Sequence, residues 1–318
     1  MRIAVLGTGR MGAFRAEWLR QKSSVEEVLV GSVRAGTVEA VLEARPDAVV
    51  ISSATPDHPA QIAACAERGL PMLCEKPIAL TLRETRAALE AAGPLLQVSF
   101  QRRFDPGFAE ARRLVSTGAL GTLYCVRLSS YDHEPSPEHF IPGSGGIFRD
   151  LHVHDFDMAR WLTGLEVEDV YATGAVRKWQ RFERHGDVDT SAALLTLEGG
   201  LPVGVSGTRH DPCGYDLRAE LLGTKDSVAV GLDERTPLRS LEETGPRLGE
   251  RPYTGFLDRF ARGFAAELHA WLEFVRGERE NPCPGVEALH ALRVAIACDR
   301  SRAERRVVKT IEVEDDEA

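Results

Sequence analysis

The feature that most constrains this chain is a glycine turn, Gly7-Thr8-Gly9-Arg10-Met11-Gly12, between a short β-rich run at 3–6 and a helical stretch at 13–21. In that context the spacing of the three glycines serves a nucleotide. The first allows a tight turn, the second lets backbone approach a pyrophosphate, and the third lets helix and strand pack closely. The helix N-terminus then turns its N–H groups toward the phosphates. A plain turn is the alternative, but the next hundred residues favour the nucleotide. Strand patterns at 28–30, 48–51, 72–74 and 95–100 alternate with helical ones at 38–44, 60–68 and 81–92. Such alternation implies an α/β domain with a parallel sheet covered on both faces.

At 318 residues the chain exceeds the usual ceiling for one core. Beyond Gln101 the pattern changes to consecutive strands at 123–130, 167–176, 190–197, 203–208 and 217–222, followed by helices at 257–276 and 286–305. This reads as an α+β domain with an open, largely antiparallel sheet. The expected division is 1–98 for a Rossmann domain, 99–280 for substrate and oligomerisation, and 281–318 for a C-terminal helix and tail packing back on the chain. A net charge of -9 without a basic block argues against nucleic-acid binding. Charged residues interrupt every apolar run short of membrane-spanning length, and no signal peptide is expected. Six scattered cysteines without a C-x-x-C pair fit a reduced, cytoplasmic protein.

Two further segments carry chemistry. Glu75-Lys76-Pro77 directly follows a strand, at the carboxyl end where ligands of open α/β sheets bind. A lysine there reaches the nicotinamide end of a cofactor, although a surface lysine in a turn has the same sequence. Thr55, Pro56 and His58, after the strand at 48–51, join Gly7, Gly9, Arg10, Met11, Gly12 and Glu75 in the expected cofactor-binding set. The end of the second strand normally carries an acid for the ribose hydroxyls. Here it holds Gly31-Ser32-Val33-Arg34, so that either Ser32 and Arg34 receive a 2′-phosphate, favouring NADP, or Arg34 is simply exposed. The second segment runs from Gly145 to Asp157. If helical, it sets Asp150 and His154 four residues apart on one face, with Asp157 three further on. A carboxylate beside an imidazole fixes its tautomer and raises its pKa, as a general acid/base at an alcohol carbon requires. His152 points away and is read as structural. An ordinary helix-terminal pair and a metal site using His152 are the alternatives. No further ligand cluster follows, so no metal is expected.

Together these segments resemble the glucose-fructose oxidoreductase/inositol dehydrogenase/rhizopine-catabolism (Gfo/Idh/MocA) family. The specific stretches are Glu75-Lys76-Pro77, Gln101-Arg102-Arg103-Phe104-Asp105-Pro106 and residues 144–160, the last two closest to the inositol 2-dehydrogenase branch. Residues 165–318 match in outline. The resemblance implies NAD or NADP as cofactor, a sugar or cyclic polyol as substrate, and a homo-oligomer paired through the open sheet. It implies a catalytic trio of Lys76, Asp150 and His154, with Arg102, Asp157 and Tyr215 at the substrate. A silent nucleotide-binding redox sensor of the same fold is the alternative function, against which the intact trio argues. Three departures stand out. Between Val30 and Ala48 there is room for one helix only, so the Rossmann sheet lacks an edge strand. The acid after the second strand is missing. Cys213 stands where inositol-type relatives often have Tyr.

Overall fold

A computed structural model describes residues 1–245 and 251–314. It divides into two compact units, one formed by Met1–Phe100 with Ala265–Leu292, the other by Gln101–Phe264 with Arg293–Glu314.

The first unit alternates strand and helix as the periodicity requires: β1 (Arg2–Leu6), α1 (Arg10–Arg20), β2 (Glu27–Gly31), α2 (Val38–Glu43), β3 (Ala48–Ile51), α3 (His58–Ala66), β4 (Met72–Glu75), α4 (Leu82–Ala92) and β5 (Leu96–Ser99). All five strands are parallel, in the order β2-β1-β3-β4-β5. A full doubly wound sheet runs 3-2-1-4-5-6. Here β2 is the edge, and the outer strand that the short 30–48 interval could not encode is missing. β3 and β5 are buried along their whole length, as expected of parallel strands covered on both faces. Thr81 caps α4 by accepting from the Glu84 N–H at 3.2 Å, and its hydroxyl donates to Glu84 at 2.8 Å.

Residues 265–275 of a C-terminal helix complete this core, with Leu268, Trp271 and Leu272 packing among Ile3, Val5, Leu19, Val50 and Leu73. Inside the same layer lies a charged network. The buried face of α1 is Gly12, Arg15, Ala16 and Leu19, a helical stripe in which one position is arginine. Arg15 is wholly buried. Its guanidinium donates to Glu75 at 2.7 Å, to the Ser99 hydroxyl at 2.6 Å and to Glu267 at 2.9 Å, while Ser99 donates to Glu267 at 3.0 Å. Burial pushes the Glu267 carboxyl up, the nearby Glu75 adds to the push and Arg15 opposes it, leaving its pKa at about 7.

In the second unit, α5 (Pro106–Ser116) opens on Asp105, whose carboxylate accepts the N–H groups of Gly107 at 3.0 Å and Phe108 at 3.3 Å. Proline at the first helical position suits this start. There follow β6 (Leu123–Tyr131), α6 (Val153–Thr163), β7 (Val167–Ala175), α7 (Gln180–Arg184), β8 (Thr190–Leu197), β9 (Leu201–Thr208), β10 (Asp216–Gly223) and β11 (Ser227–Val230). α8 (Phe256–Arg259), α9 (Ala261–Val275), α10 (Val286–Glu304) and β12 (Val308–Lys309) close the described chain. The sheet order is β11-β10-β6-β9-β8-β7-β12, antiparallel except where β6 pairs with β9. α5, α7, β11 and β12 lie outside the sequence reading. The expected open, largely antiparallel sheet is present. No described helix is long and apolar enough to cross a membrane.

The buried network gives the first unit a defined pH response. With its pKa at about 7, Glu267 keeps its proton in the folded chain after the unfolded chain has lost it. Its contribution to stability is therefore full below the ordinary carboxyl value and lost as pH rises through about 7. Glu267→Gln removes this titration. The difference in unfolding free energy between wild type and Glu267→Gln should fall by on the order of 3 kcal/mol between pH 4.5 and pH 8. Urea unfolding at both pH values measures it, and a gap independent of pH contradicts the assignment.

Candidate active site

The glycine turn divides its labour as the spacing predicts. At Gly7, whose φ is +122°, an added Cβ would fall inside the backbone of Ser52, and at Gly12 inside the backbone of Gly7. Both are sites where chain meets chain. At Gly9 no atom lies within 4 Å of the same position, so bare backbone faces open space. Gly9 is also the N-cap of α1, with no side-chain cap on that terminus and no acidic residue in the first turn. A cradle that a side chain would fill, at an uncapped helix start, fits a pyrophosphate. Arg10 is exposed and Met11 half-buried beside it.

Register places the rest of this edge. Leu6 pairs with Ile51, Ile51 with Cys74 and Cys74 with Val98, so the turns after β1, β3 and β4 leave one carboxyl edge of the sheet. Lys76 is half-buried there, and its peptide bond to Pro77 is cis. The preceding Glu75 turns its carboxylate onto Arg15. Thr55 and Pro56 lie in the short turn Thr55–Asp57 after β3, Pro56 exposed. His58 is buried, with Nδ1 2.9 Å from the Pro77 carbonyl and Nε2 3.2 Å from the Ser53 carbonyl. Burial pushes its pKa down against those two contacts. The side chains of Glu75 and His58 thus brace the two loops of the cofactor edge. Beyond β2, Ser32 is fixed through its backbone: its N–H donates to the Thr37 hydroxyl at 3.0 Å, and its carbonyl accepts from the Thr37 N–H at 3.1 Å. Arg34 is exposed on the turn so closed.

In the second unit the segment expected to be helical divides in two. Phe148–His152 forms a π-turn, and α6 begins at Val153. π-turns are rare and concentrate at functional sites. Asp150 lies in the wide turn and His154 in the first turn of α6, so the four-residue spacing spans a junction rather than a uniform helix. Asp150 accepts from Arg209 at 2.7 Å, and His154 is half-buried. His152 is buried, with a partner at each ring nitrogen. Its Nδ1 lies 2.7 Å from Asp155 and its Nε2 2.8 Å from the Ser191 hydroxyl, and an added Cβ on Gly207 would strike its ring. Among the described residues no group of three or more His, Cys, Asp or Glu is placed to hold a metal.

Arg102 and Asp157, which the resemblance assigns to substrate hydroxyls, are put to another use. Arg102 is 2% exposed and donates to Asp155 at 2.5 Å and to Ser130 at 3.3 Å. Asp157 is fully buried and accepts two bonds from Arg103, at 2.5 and 3.0 Å. Burial raises the Asp155 carboxyl, but Arg102, His152 and Ser130 together hold it below its ordinary range. The Gln-Arg-Arg-Phe segment is therefore the clamp on α6, through one ion pair per arginine. Tyr215 is buried, which pushes its hydroxyl pKa up, and its N–H donates to the Tyr253 carbonyl at 2.6 Å. Cys213, two residues before it, is exposed. Arg15 and Arg209, the partners of Glu75 and Asp150, are residues that sequence reasoning missed. Each had a signal: Arg15 interrupts an apolar helical stripe, and Arg209 continues the inward-facing series Leu201, Val203, Val205, Gly207 one step past β9.

The NAD-binding Rossmann-fold model of an oxidoreductase family matches residues 1–95, and the Gfo/Idh/MocA C-terminal domain model matches residues 108–229. A myo-inositol dehydrogenase of Streptomyces leeuwenhoekii is 36% identical, covering 95% of this chain and 97% of its own length. The scyllo-inositol 2-dehydrogenase (NAD(+)) of Bacillus subtilis is 32% identical over 95% of this chain and 94% of its own. Among solved structures, a myo-inositol dehydrogenase from Corynebacterium glutamicum superposes with a TM-score of 0.86 at 30% identity, covering 97% of this chain and 98% of that one. With its uncapped glycine cradle and its Glu-Lys-Pro turn on one edge of a five-stranded parallel sheet, the chain belongs to the Gfo/Idh/MocA oxidoreductase family.

Proposed function

We propose that this chain is an NAD(P)-dependent dehydrogenase acting on a secondary hydroxyl of a cyclic polyol of the inositol type. The observation that carries the reading is the pairing, on one carboxyl edge, of the open backbone at Gly9 with the Lys76 turn. A nucleotide cradle and an ammonium on the same edge suit hydride transfer. The names of relatives spanning the chain nearly end to end agree with it.

The residues divide the work as follows. Gly7, Gly9, Arg10, Met11 and Gly12 hold the pyrophosphate, with Thr55 and Pro56 in the next turn of that edge. Ser32 and Arg34 meet the adenosine ribose. With no carboxylate there to repel a 2′-phosphate, they favour NADP, although the Bacillus relative is named for NAD(+). When bound, the nicotinamide supplies the hydride acceptor or donor. His154 takes the hydroxyl proton in the oxidative direction, Asp150 fixes the imidazole tautomer, and Lys76 stabilises negative charge growing on the substrate oxygen. Glu75 and His58 act as supports of the loops on the cofactor edge, and Arg102 and Asp157 as supports of α6. The outward face of the second sheet, where Tyr171 (45% exposed) pairs with Leu194 (54% exposed), suits a second copy of the chain. Cytoplasmic residence fits a pyridine-nucleotide enzyme with an exposed free thiol at Cys213.

A screen of inositols and aldoses with NAD and NADP side by side tests the activity, and loss of turnover on every polyol with both cofactors overturns it. Lys76→Met should fold normally and lose about 10²–10³ in turnover; near-wild-type rates remove Lys76 from the trio. Arg34→Ala should weaken NADP binding selectively, by roughly 1.5–3 kcal/mol. Equal loss for both cofactors, or none, in a nicotinamide-fluorescence titration makes Arg34 a surface residue. The oxidative rate should rise with pH as His154 loses its proton. His154→Ala should abolish that ionisation and cost about 10²–10⁴ in rate; an unchanged pH–rate profile assigns the base elsewhere.

A further inference from the structure

Three loops leave the carboxyl edge of the first sheet, after β1, β3 and β4, and one buried side chain links them. The loop after β3 begins Ser52-Ser53. On one side it lies against the glycine turn: a Cβ added to Gly7 would fall 2.3 Å from the Ser52 carbonyl oxygen and 2.7 Å from the Ser53 nitrogen. On the other side it meets His58, whose Nε2 is 3.2 Å from the Ser53 carbonyl oxygen. The same ring turns Nδ1 to the Pro77 carbonyl oxygen at 2.9 Å, and Pro77 directly follows Lys76. His58 is 1% exposed and is the first residue of α3. The next turn of that helix also holds Ser53, whose hydroxyl donates to Gln61 at 2.7 Å. Contacts therefore run without a break from the glycine cradle through Ser53 and His58 to the Lys76 turn.

Both ring nitrogens thus face carbonyl oxygens. A neutral imidazole has one N–H and one lone pair, whereas an imidazolium has two N–H groups. The neutral ring donates to one carbonyl and turns its lone pair on the other, and only the charged ring serves both. We propose that His58 is a positioning residue of the cofactor site: it fastens the Lys76 turn to the loop against the glycine cradle by one bond when neutral and by two when protonated, and cofactor binding draws the second proton onto it. The inference rests on the reading of this edge as the one that holds the cofactor. A pyrophosphate at the cradle brings negative charge to the loop that His58 touches, and negative charge favours the imidazolium.

The groups around the ring leave it poised for this. Burial pushes its pKa down, while the two carbonyls and the charges of Glu75 and Asp57 oppose the push. In the cofactor-free chain burial prevails, so the ring is neutral near pH 7 and the second bond is unmade. α3 itself, His58–Ala66, has no other charged residue, and β3 has none. On β4, Cys74 stays a neutral thiol because burial pushes its pKa up, and Glu75 is bonded to Arg15. On α4, packed beside α3, the buried residues Leu82, Thr85, Ala88 and Ala92 carry no charge. Lys76, the neighbour of Pro77 in the chain, is the cation next to this tie.

The test counts protons on binding. NADH, or NADPH where that is the tighter ligand, is titrated calorimetrically into the chain at about pH 6 in two buffers of different ionisation enthalpy. Wild type should take up about half a proton more per cofactor bound than His58→Gln, whose amide can donate to one carbonyl but cannot titrate. Wild type should also gain about threefold more affinity than the variant between about pH 8 and about pH 6. The His58 imidazole C–H resonance, assigned through the backbone, should titrate below the ordinary histidine value in the free chain and move to higher pH when the cofactor saturates it. A histidine that only fills space produces none of these. Equal proton uptake by wild type and folded His58→Gln overturns the proposal. Should the variant fail to fold, a His58 midpoint that cofactor leaves in place overturns it equally. Both readouts are of binding, so they do not depend on whether any polyol is oxidised, which is what the dehydrogenase reading stands on. A chain that binds neither NADH nor NADPH overturns both.

Discussion

A guanidinium withdrawn from water has to be met by carboxylates, and this requirement organises both units. Arg15, Arg102, Arg103 and Arg209 are each 9% exposed or less. An arginine cannot shed its charge as a buried lysine or carboxyl can. Wherever one is buried, acids must come to it with defined geometry, and those acids pin down the segments that carry them. Arg15 holds Glu75 and thereby the start of the Lys76 turn. Arg102 and Arg103 hold Asp155 and Asp157 and thereby the first turns of α6. Arg209 holds Asp150. A buried ion pair is a poor source of net stability, because desolvation offsets most of its attraction. What these pairs provide is fixed position for the segments that carry the proposed chemistry.

The same requirement explains what was legible in the sequence. The parallel sheet, its missing edge strand and the glycine turn follow from local pattern: β-rich runs, 3.6-residue stripes, and an interval between Val30 and Ala48 too short for another helix and strand. The open antiparallel sheet was readable from consecutive strands with turn signals between them. Partner identity was not. Asp150, Asp155 and Asp157 sit within eight residues of one another, and no periodicity says that the first meets Arg209, the second Arg102 and the third Arg103. Assigning Arg102 and Asp157 to substrate hydroxyls put in the open two groups that the fold has closed inside. The sequence distances, 53 and 54 residues for the Arg102 and Arg103 pairs and 59 for Arg209, show why. Local rules say which residues are charged, and only tertiary structure says which charges cancel.

Helical spacing was incomplete at one place. Counting four residues from Asp150 to His154 assumes α geometry throughout, whereas Phe148–His152 is a π-turn. A π-turn places one extra residue in the ring closed by each hydrogen bond. The junction at Val153 falls between Asp150 and His154. Along this stretch Asp150, inside the π-turn, meets Arg209, while Asp155 and Asp157, on α6, meet Arg102 and Arg103.

The shortened adenosine side is the converse case, a loss the fold tolerates because it falls on an edge. Removing a central strand would expose the rows of hydrogen-bonding groups on its two neighbours. Removing the outermost one instead leaves β2 as the new edge, and an edge is bearable if it is short. β2 has five residues, and the chain leaves it through the turn closed by Ser32 and Thr37. What disappears with the strand is a wall. Val30 and Val33 are left 37% and 49% exposed at the end of β2, beside the exposed Arg34. Fewer surfaces remain there to hold an adenine ring. On the assignment proposed above, the glycine cradle, whose contacts are backbone, and the charge of Arg34 would then carry most of the grip on the cofactor. Affinity in such a site would rest on the phosphates, and under the proposed role of Arg34 a 2′-phosphate would add a contact just where the missing strand has taken others away.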